Sequence, residues 1–194
     1  MTDDLRPNEA EKEFLTIAYN RFYDLYAEVM SEAFWLRDEY YRYSRISSGF
    51  ANYSEIMTYE PLKWVLEEMK LKRPPGEAEI ATDLFRFVRN TLFHFPFYDR
   101  WRDVWISGRL ACWNKTDSSI DKFLRKYAGR EMIKYRYWEP DKKLMTYVQV
   151  QFPAEYSPES KVYLRDVLEE KEGTKFSYIM MKAIMNTQVE NGHN

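Results

Sequence analysis

The stretch Ile80-Ala81-Thr82-Asp83-Leu84-Phe85-Arg86-Phe87-Val88-Arg89-Asn90-Thr91-Leu92-Phe93-His94-Phe95-Pro96 decides how this chain is read. Placed at ~100° per residue, it divides into two faces. Ile80, Leu84, Phe87, Val88 and Thr91 share one side. Glu79, Asp83, Arg86, Asn90 and His94 line the other, and Arg89 stands at the edge of that polar stripe. The division predicts an amphipathic helix that packs its apolar side against other helices. Pro96 disfavours helical geometry at Phe95, so the helix stops at or near His94.

Outward from this helix the pattern stays mostly helical. Residues 8–44 read as one long helix or two nearly end to end, with Phe14, Ile17, Ala18, Phe22, Leu25, Val29, Ala33 and Leu36 at three- and four-residue steps. Glu9, Glu11 and Glu13 suit the positive end of its dipole. Ser47-Ser48-Gly49 breaks the pattern, a second helix runs from about Pro61 to Lys70, and Pro74-Pro75-Gly76 is a stop. The motif helix then starts near Glu77, and Asp99 to Gly108 reads as a further helical stretch rich in Trp and Phe. Asp117 or Ser118 caps a helix through Tyr127, ended by Gly129.

There the period changes to two. Ile133, Tyr135 and Tyr137 alternate with Lys134 and Arg136; after the turn at residues 139–143, Val148, Val150 and Phe152 alternate with Gln149 and Gln151. That is a β-hairpin. Ser157-Pro158-Glu159 reads as the start of another helix, a last helix spans Phe176 to Val189, and residues 190–194 read as a disordered tail. The expected fold class is mainly α, a helical bundle with an inserted hairpin at about residues 131–152, forming one domain over residues 1–194.

Composition narrows the function classes. Charged residues are 31% of the 194, with a formal net charge of −2, which argues against a binder of nucleic acid over its whole surface. It leaves room for a local patch. Residues 84–115 hold Arg86, Arg89, Arg100, Arg102, Arg109 and Lys115 against Asp99 and Asp103. Phe93, Phe97, Tyr98, Trp101, Trp105 and Trp113 stand among them, and aromatics beside arginines can stack single-stranded bases. The Trp101, Trp105 and Trp113 group reads first as core. The single cysteine, Cys112, can form neither an internal disulfide nor a zinc site, and reads as a small buried apolar residue. No apolar run resembles a signal peptide or approaches a membrane span of roughly 20 residues. The expectation is a soluble cytoplasmic protein with no membrane partner, no cofactor and no metal.

Arg89, Asn90 and His94 carry the candidate chemistry. His94 is one of two histidines, and the other, His193, is the penultimate residue. RNA can be cleaved by its own 2′-hydroxyl, so an enzyme needs only to move protons and stabilise a phosphorane. Histidine gives or takes a proton near neutral pH. The last turn of a helix favours a cation, which suits a general acid. Arginine supplies a permanently charged fork for phosphate oxygens, and such stabilisation is often the largest catalytic contribution. Asn90 would orient the phosphate or His94, with Arg86, Arg100 and Arg102 as further substrate-binding candidates.

Arginine, a polar residue, then three residues and histidine resembles the signature of the HEPN superfamily of ribonucleases, in which four to six residues separate the two. The resemblance covers the helical part of the chain, and the hairpin has no counterpart in the common bundle. It implies a homodimer whose two motifs face one cleft, so that one histidine acts as base and the other as acid. It also implies an RNA substrate, metal-independent cleavage leaving 2′,3′-cyclic phosphate ends, and work in phage defence or a toxin–antitoxin pair. The partner would then be an antitoxin or regulatory protein. The competing reading is a catalytically inactive HEPN-like module that binds protein or RNA.

Three further readings are bland. Asp83 and Arg86 form a surface ion pair, Lys134 and Arg136 are a solvated face and secondarily an RNA contact, and a metal hydrolase built on Asp83 and Glu79 lacks a completing histidine.

Overall fold

Asn8 starts the first helix through a capping box. Its side chain accepts from the Glu11 amide, and the Glu11 carboxylate accepts from the Asn8 amide at 2.8 Å. In the computed structural model, which describes residues 7–59, 75–113, 116–139 and 142–191, helix α1 (Glu9–Met30) buries Ala18, Phe22, Leu25 and Val29 and leaves Phe14 and Ile17 exposed. The expected long helix ends at Ser31. That residue terminates α1 and caps the short α2 (Glu32–Trp35), and Asp38 then caps α3 (Glu39–Ile56).

Helix α3 continues straight through Ser47-Ser48-Gly49, against expectation. Ser48 satisfies its hydroxyl within the helix, donating to the Ser44 carbonyl at 2.8 Å. Gly49 is needed for its missing side chain: a Cβ there would lie 1.8 Å from the Tyr178 hydroxyl oxygen. The glycine marks a close approach of two helices.

The motif helix α4 (Pro75–His94) ends where Pro96 requires and begins at Pro75, so Pro75-Gly76 is a first turn and not a stop. The expected helix at Pro61 to Lys70 lies outside the described residues. Ile80, Leu84, Phe87, Val88 and Thr91 are all buried, and α4 packs against α3 and α6 (Ser119–Tyr127). Phe87 stacks on Phe123 at 4.4 Å between ring centroids. Ser118 caps α6, and Gly129, with φ of +74°, follows its end.

Between α4 and α6 the expected helix at Asp99 to Gly108 is replaced by a 3₁₀ turn (Trp101–Asp103), strand β1 (Trp105–Ile106) and helix α5 (Gly108–Ala111). Distant partners override local propensity here. Trp101 is buried and donates its indole N–H to the Leu168 carbonyl at 3.0 Å. Strand β1 pairs antiparallel with β4 (Val162–Tyr163), Trp105 opposite Tyr163.

The hairpin forms as expected, β2 (Ile133–Glu139) against β3 (Leu144–Val150), with Ile133 opposite Val150 and Glu139 opposite Leu144. Tyr135, Tyr137, Val148 and Val150 face inward, and Tyr135 stacks on Phe176 at 4.9 Å. Ser157-Pro158-Glu159 forms a turn, not a helix. The Ser157 amide donates to Ser160 Oγ, and the Pro158 carbonyl accepts from the Arg109 amide, which takes it out of any helical ladder. Short helix α7 (Leu164–Val167) leads to α8 (Glu170–Asn191), which starts before the expected Phe176 and runs into the stretch read as a tail. Residues 192–194, with His193, are outside the described part.

Glu139 reaches inward from the end of β2 to α8. Its carboxylate accepts from Lys175 Nζ at 2.7 Å, and the same ammonium donates to Glu32 of α2 at 2.9 Å. The described residues are thus mainly helical, with one hairpin seated on α8. Among them no helix is long and apolar enough to cross a membrane.

Candidate functional site

The last turn and a half of α4 carries the motif. His94 is exposed at the helix end and lines a cleft of about 640 Å³ with Phe97, Leu110, Trp113, Ser118 and Ser119. Among the described residues its imidazole has no hydrogen-bond partner, so both ring nitrogens are open to a ligand.

Asn90 does not lie on an open polar stripe as its helical position predicts. It is 8% exposed, because α6 packs over it. Its amide is spent at both ends: Nδ2 donates to Ser119 Oγ at 2.6 Å, and Oδ1 accepts from Arg89 Nη1 at 2.8 Å. A buried amide without these partners would be costly. The chain Ser119–Asn90–Arg89 therefore fixes one edge of the guanidinium from below.

Phe93 and Glu55 hold its other sides. The guanidinium carbon lies 4.9 Å from the Phe93 ring centroid, and Nη2 is 3.7 Å from a Glu55 carboxylate oxygen. Arg89 Nε has no partner among the described residues. His94 stands five positions after Arg89 in the chain, which turns the two side chains ~140° apart around the helix. Within one chain the structure joins Arg89 to Asn90, and no hydrogen bond joins either to His94.

The other basic candidates disperse. Arg86 is exposed and has no ion pair among the described residues. Arg100 and Arg102 gather instead on Glu39 in the first turn of α3, at 3.9 and 3.2 Å, and Arg100 also lies over the Tyr40 ring. The expected Asp83–Arg86 pair is replaced by a contact across helices. Lys126 of α6 donates to Asp83 at 2.8 Å and to Glu79 at 2.5 Å, and Tyr127 donates to Asp83 at 2.8 Å. The two carboxylates push the Lys126 ammonium up, and burial together with Asp83 pushes the Tyr127 phenol up to about 12. Glu79 and Asp83 are thus spent on an ammonium. Among the described residues no three His, Cys, Asp or Glu side chains gather in a way that could hold a metal ion.

The tryptophans separate too. Trp101 is core, Trp105 is half-buried beneath Lys161, and Trp113 is 79% exposed at the cleft, against the expectation that all three are core. Cys112 is half-buried. Ser119 and Glu55 were not legible as site residues. The Ser118-Ser119 pair signals a helix start, but nothing in its spacing names Asn90 as the partner.

The chain matches no family model, no curated protein and no solved structure in comparisons with each.

Proposed function

We propose that this protein is a metal-independent RNA endonuclease of the HEPN type, acting through Arg89, Asn90 and His94. The observation that carries the reading is the contrast within the motif. Asn90 is locked between Ser119 and Arg89, whereas His94, at the mouth of a cleft, has no hydrogen-bond partner among the described residues. A locked amide orients, and a free imidazole on the surface can exchange protons.

In the reaction the RNA 2′-oxygen attacks the adjacent phosphorus as a base removes its proton. The P–O5′ bond breaks, and an imidazolium donates its proton to the departing 5′-oxygen. The products are a 2′,3′-cyclic phosphate and a 5′-hydroxyl. Arg89 supplies the charge opposite the phosphorane, held in orientation by Asn90. Arg86, exposed one turn earlier on α4 and without an ion pair among the described residues, would take a flanking phosphate.

One His94 cannot be acid and base in the same step, so the reading includes a homodimer that brings two motifs together. Phe97 (70% exposed) and Trp113 (79%) line the cleft, Phe93 (55%) is exposed beside Arg89, and together they supply the apolar area that association requires. Pairing also removes the difficulty that Arg89 and His94 of one chain point apart. The biological setting that goes with the family resemblance is phage defence or a toxin–antitoxin pair, with an antitoxin or regulatory protein as partner. The second reading, an inactive binding module, draws on Glu55, whose carboxylate already lies near Arg89 and competes with a phosphate for it.

The test is cleavage of mixed tRNA and ribosomal RNA in excess EDTA. Wild type is expected to leave 2′,3′-cyclic ends, and His94→Ala is expected to lose about 10²–10⁴-fold in rate with an unchanged melting temperature. Equal cleavage by both proteins places the chemistry elsewhere. No cleavage by a verified dimer favours the binding module.

A further inference from the structure

Among the described residues, most of the unpaired positive charge lies on the hairpin. Most arginines and lysines among the described residues are tied to a carboxylate or lie over a ring. Those with no ion pair, hydrogen bond, ring contact or charged neighbour are Arg86, Lys134, Arg136 and Lys143. Three of these four belong to the hairpin or its turn, and Lys143 sits in that turn with a positive φ of 48°.

Register sets what stands beside them. On the outward side Lys134 lies opposite Gln149, Arg136 opposite Tyr147, and Trp138 opposite Met145. Directly opposed outward residues have Cβ atoms about 4.5–5.5 Å apart, and diagonal ones remain within reach of long or aromatic side chains. Trp138 and Tyr147 are such a diagonal pair, 50% and 58% exposed, with Arg136 facing the tyrosine. None of the six outward side chains is a carboxylate. The inward face, by contrast, is filled by Tyr135, Tyr137, Val148 and Val150 and is seated on α8. The outward aromatics are therefore not there to complete the core.

We infer that this outer face binds single-stranded RNA, with Lys134 and Arg136 on phosphates and Trp138 and Tyr147 stacking bases. Charge decides for a polyanion over a neutral protein surface: two free cations and no acid repel a basic partner and leave an acidic one to find. Stacking decides for single strands, because the faces of paired bases are not accessible. The choice of RNA over DNA rests on the ribonuclease reading. The binding itself rests on the hairpin alone.

The experiment uses full-length His94→Ala protein and a fluorescein-labelled oligouridylate about 12 nucleotides long, within the usual span of such sites. Lys134→Gln/Arg136→Gln is expected to weaken binding at least tenfold. It should also reduce the slope of log affinity against log salt by about 1.4, the value for two lost phosphate contacts on a single strand. Trp138→Ala is expected to weaken binding about tenfold, while Trp138→Phe, which keeps a ring, retains most of it. Melting temperatures of all three verify the fold. Binding by the charge variant that matches the parent overturns the proposal. So does a change in sedimentation with no change in RNA affinity, which would make this face a contact between copies. Cleavage in EDTA by the wild-type protein separates the two readings. Cleavage with hairpin-independent binding removes this proposal alone, and hairpin-dependent binding without cleavage removes the ribonuclease reading alone.

Discussion

Two clusters of charge, one beneath the hairpin and one at the end of α4, are built on opposite terms. At the first, Lys175 and Glu139 have side chains only 1% and 3% exposed, 2.7 Å apart. Thr146 donates to the same carboxylate, and Lys142 lies 3.1 Å from it. Glu32 closes the set from α2 by accepting from both Lys175 and Lys171. At the second, among the described residues, Arg89 retains an unpartnered Nε, its carboxylate neighbour Glu55 is 59% exposed at 3.7 Å, and His94 makes no hydrogen bond. Charge taken out of water has to be satisfied internally. The imidazole at the mouth of the cleft is exposed, so solvent covers it until a ligand does, whereas the Arg89 Nε is buried and left unmet among the described residues. The closed cluster joins α2, the hairpin and α8. The open one is where binding chemistry can occur.

The strongest way to break this contrast is Lys175→Met. It removes the buried partner of Glu139, leaving that carboxylate to Lys142 and Thr146, and is expected to cost about 3 kcal/mol of stability, read as the shift in a urea unfolding midpoint. Adding Glu139→Leu should recover most of that loss, since a buried pair replaced by apolar residues is often neutral. A double variant no more stable than the single would show that the ion pair is not what seats the hairpin.

A smaller effect belongs to the open cluster. Ser119→Ala leaves the Asn90 Nδ2 buried without an acceptor, at a cost of about 1–3 kcal/mol. If Asn90 positions Arg89, kcat should fall about tenfold while Ser119→Thr restores it. Loss of stability with kcat unchanged would make the serine purely structural.

The mildest perturbation is acid. Lys171 and Lys175 hold the Glu32 carboxyl down at about 2, against its ordinary 4.5. Burial pushes the Glu139 carboxyl up, but Lys175, Lys142 and Thr146 outweigh it and leave that carboxyl below the usual range. Depressed carboxyls contribute stability that is fully present above the unfolded value of 4.5 and is lost as pH falls towards 2. Melting temperature should therefore decline over that window, and decline less steeply in Lys175→Met. Parallel curves for the two proteins would assign the acid sensitivity to other groups.

What could be read from the chain alone follows the range of the interactions. Pro96 acts on its immediate neighbour, so the end of α4 at His94 was legible, as were its buried face and the period-two hairpin. Asp99 to Gly108 was misread because Trp101 finds Leu168 and Trp105 finds Tyr163, partners about sixty residues away that no local window contains. Asn90 was placed on an open stripe because helical geometry cannot announce that α6 covers it. The same limit hid Ser119 and Glu55, and it hid Lys175, whose burial depends on two acids from elements far apart in the chain.

Gly49 bears on the hairpin from a distance. The notch it leaves in α3 is filled by the phenol of Tyr178, whose hydroxyl donates to the Ile46 carbonyl at 3.1 Å. A ring seated in a notch works as a detent: α8 has one stop along α3 and no sliding continuum. Lys175 lies one turn before Tyr178 on the same helix, so that stop also indexes the height at which the ammonium meets Glu139 and Glu32. One absent methyl group thus sets the mechanical tolerance with which the hairpin is mounted.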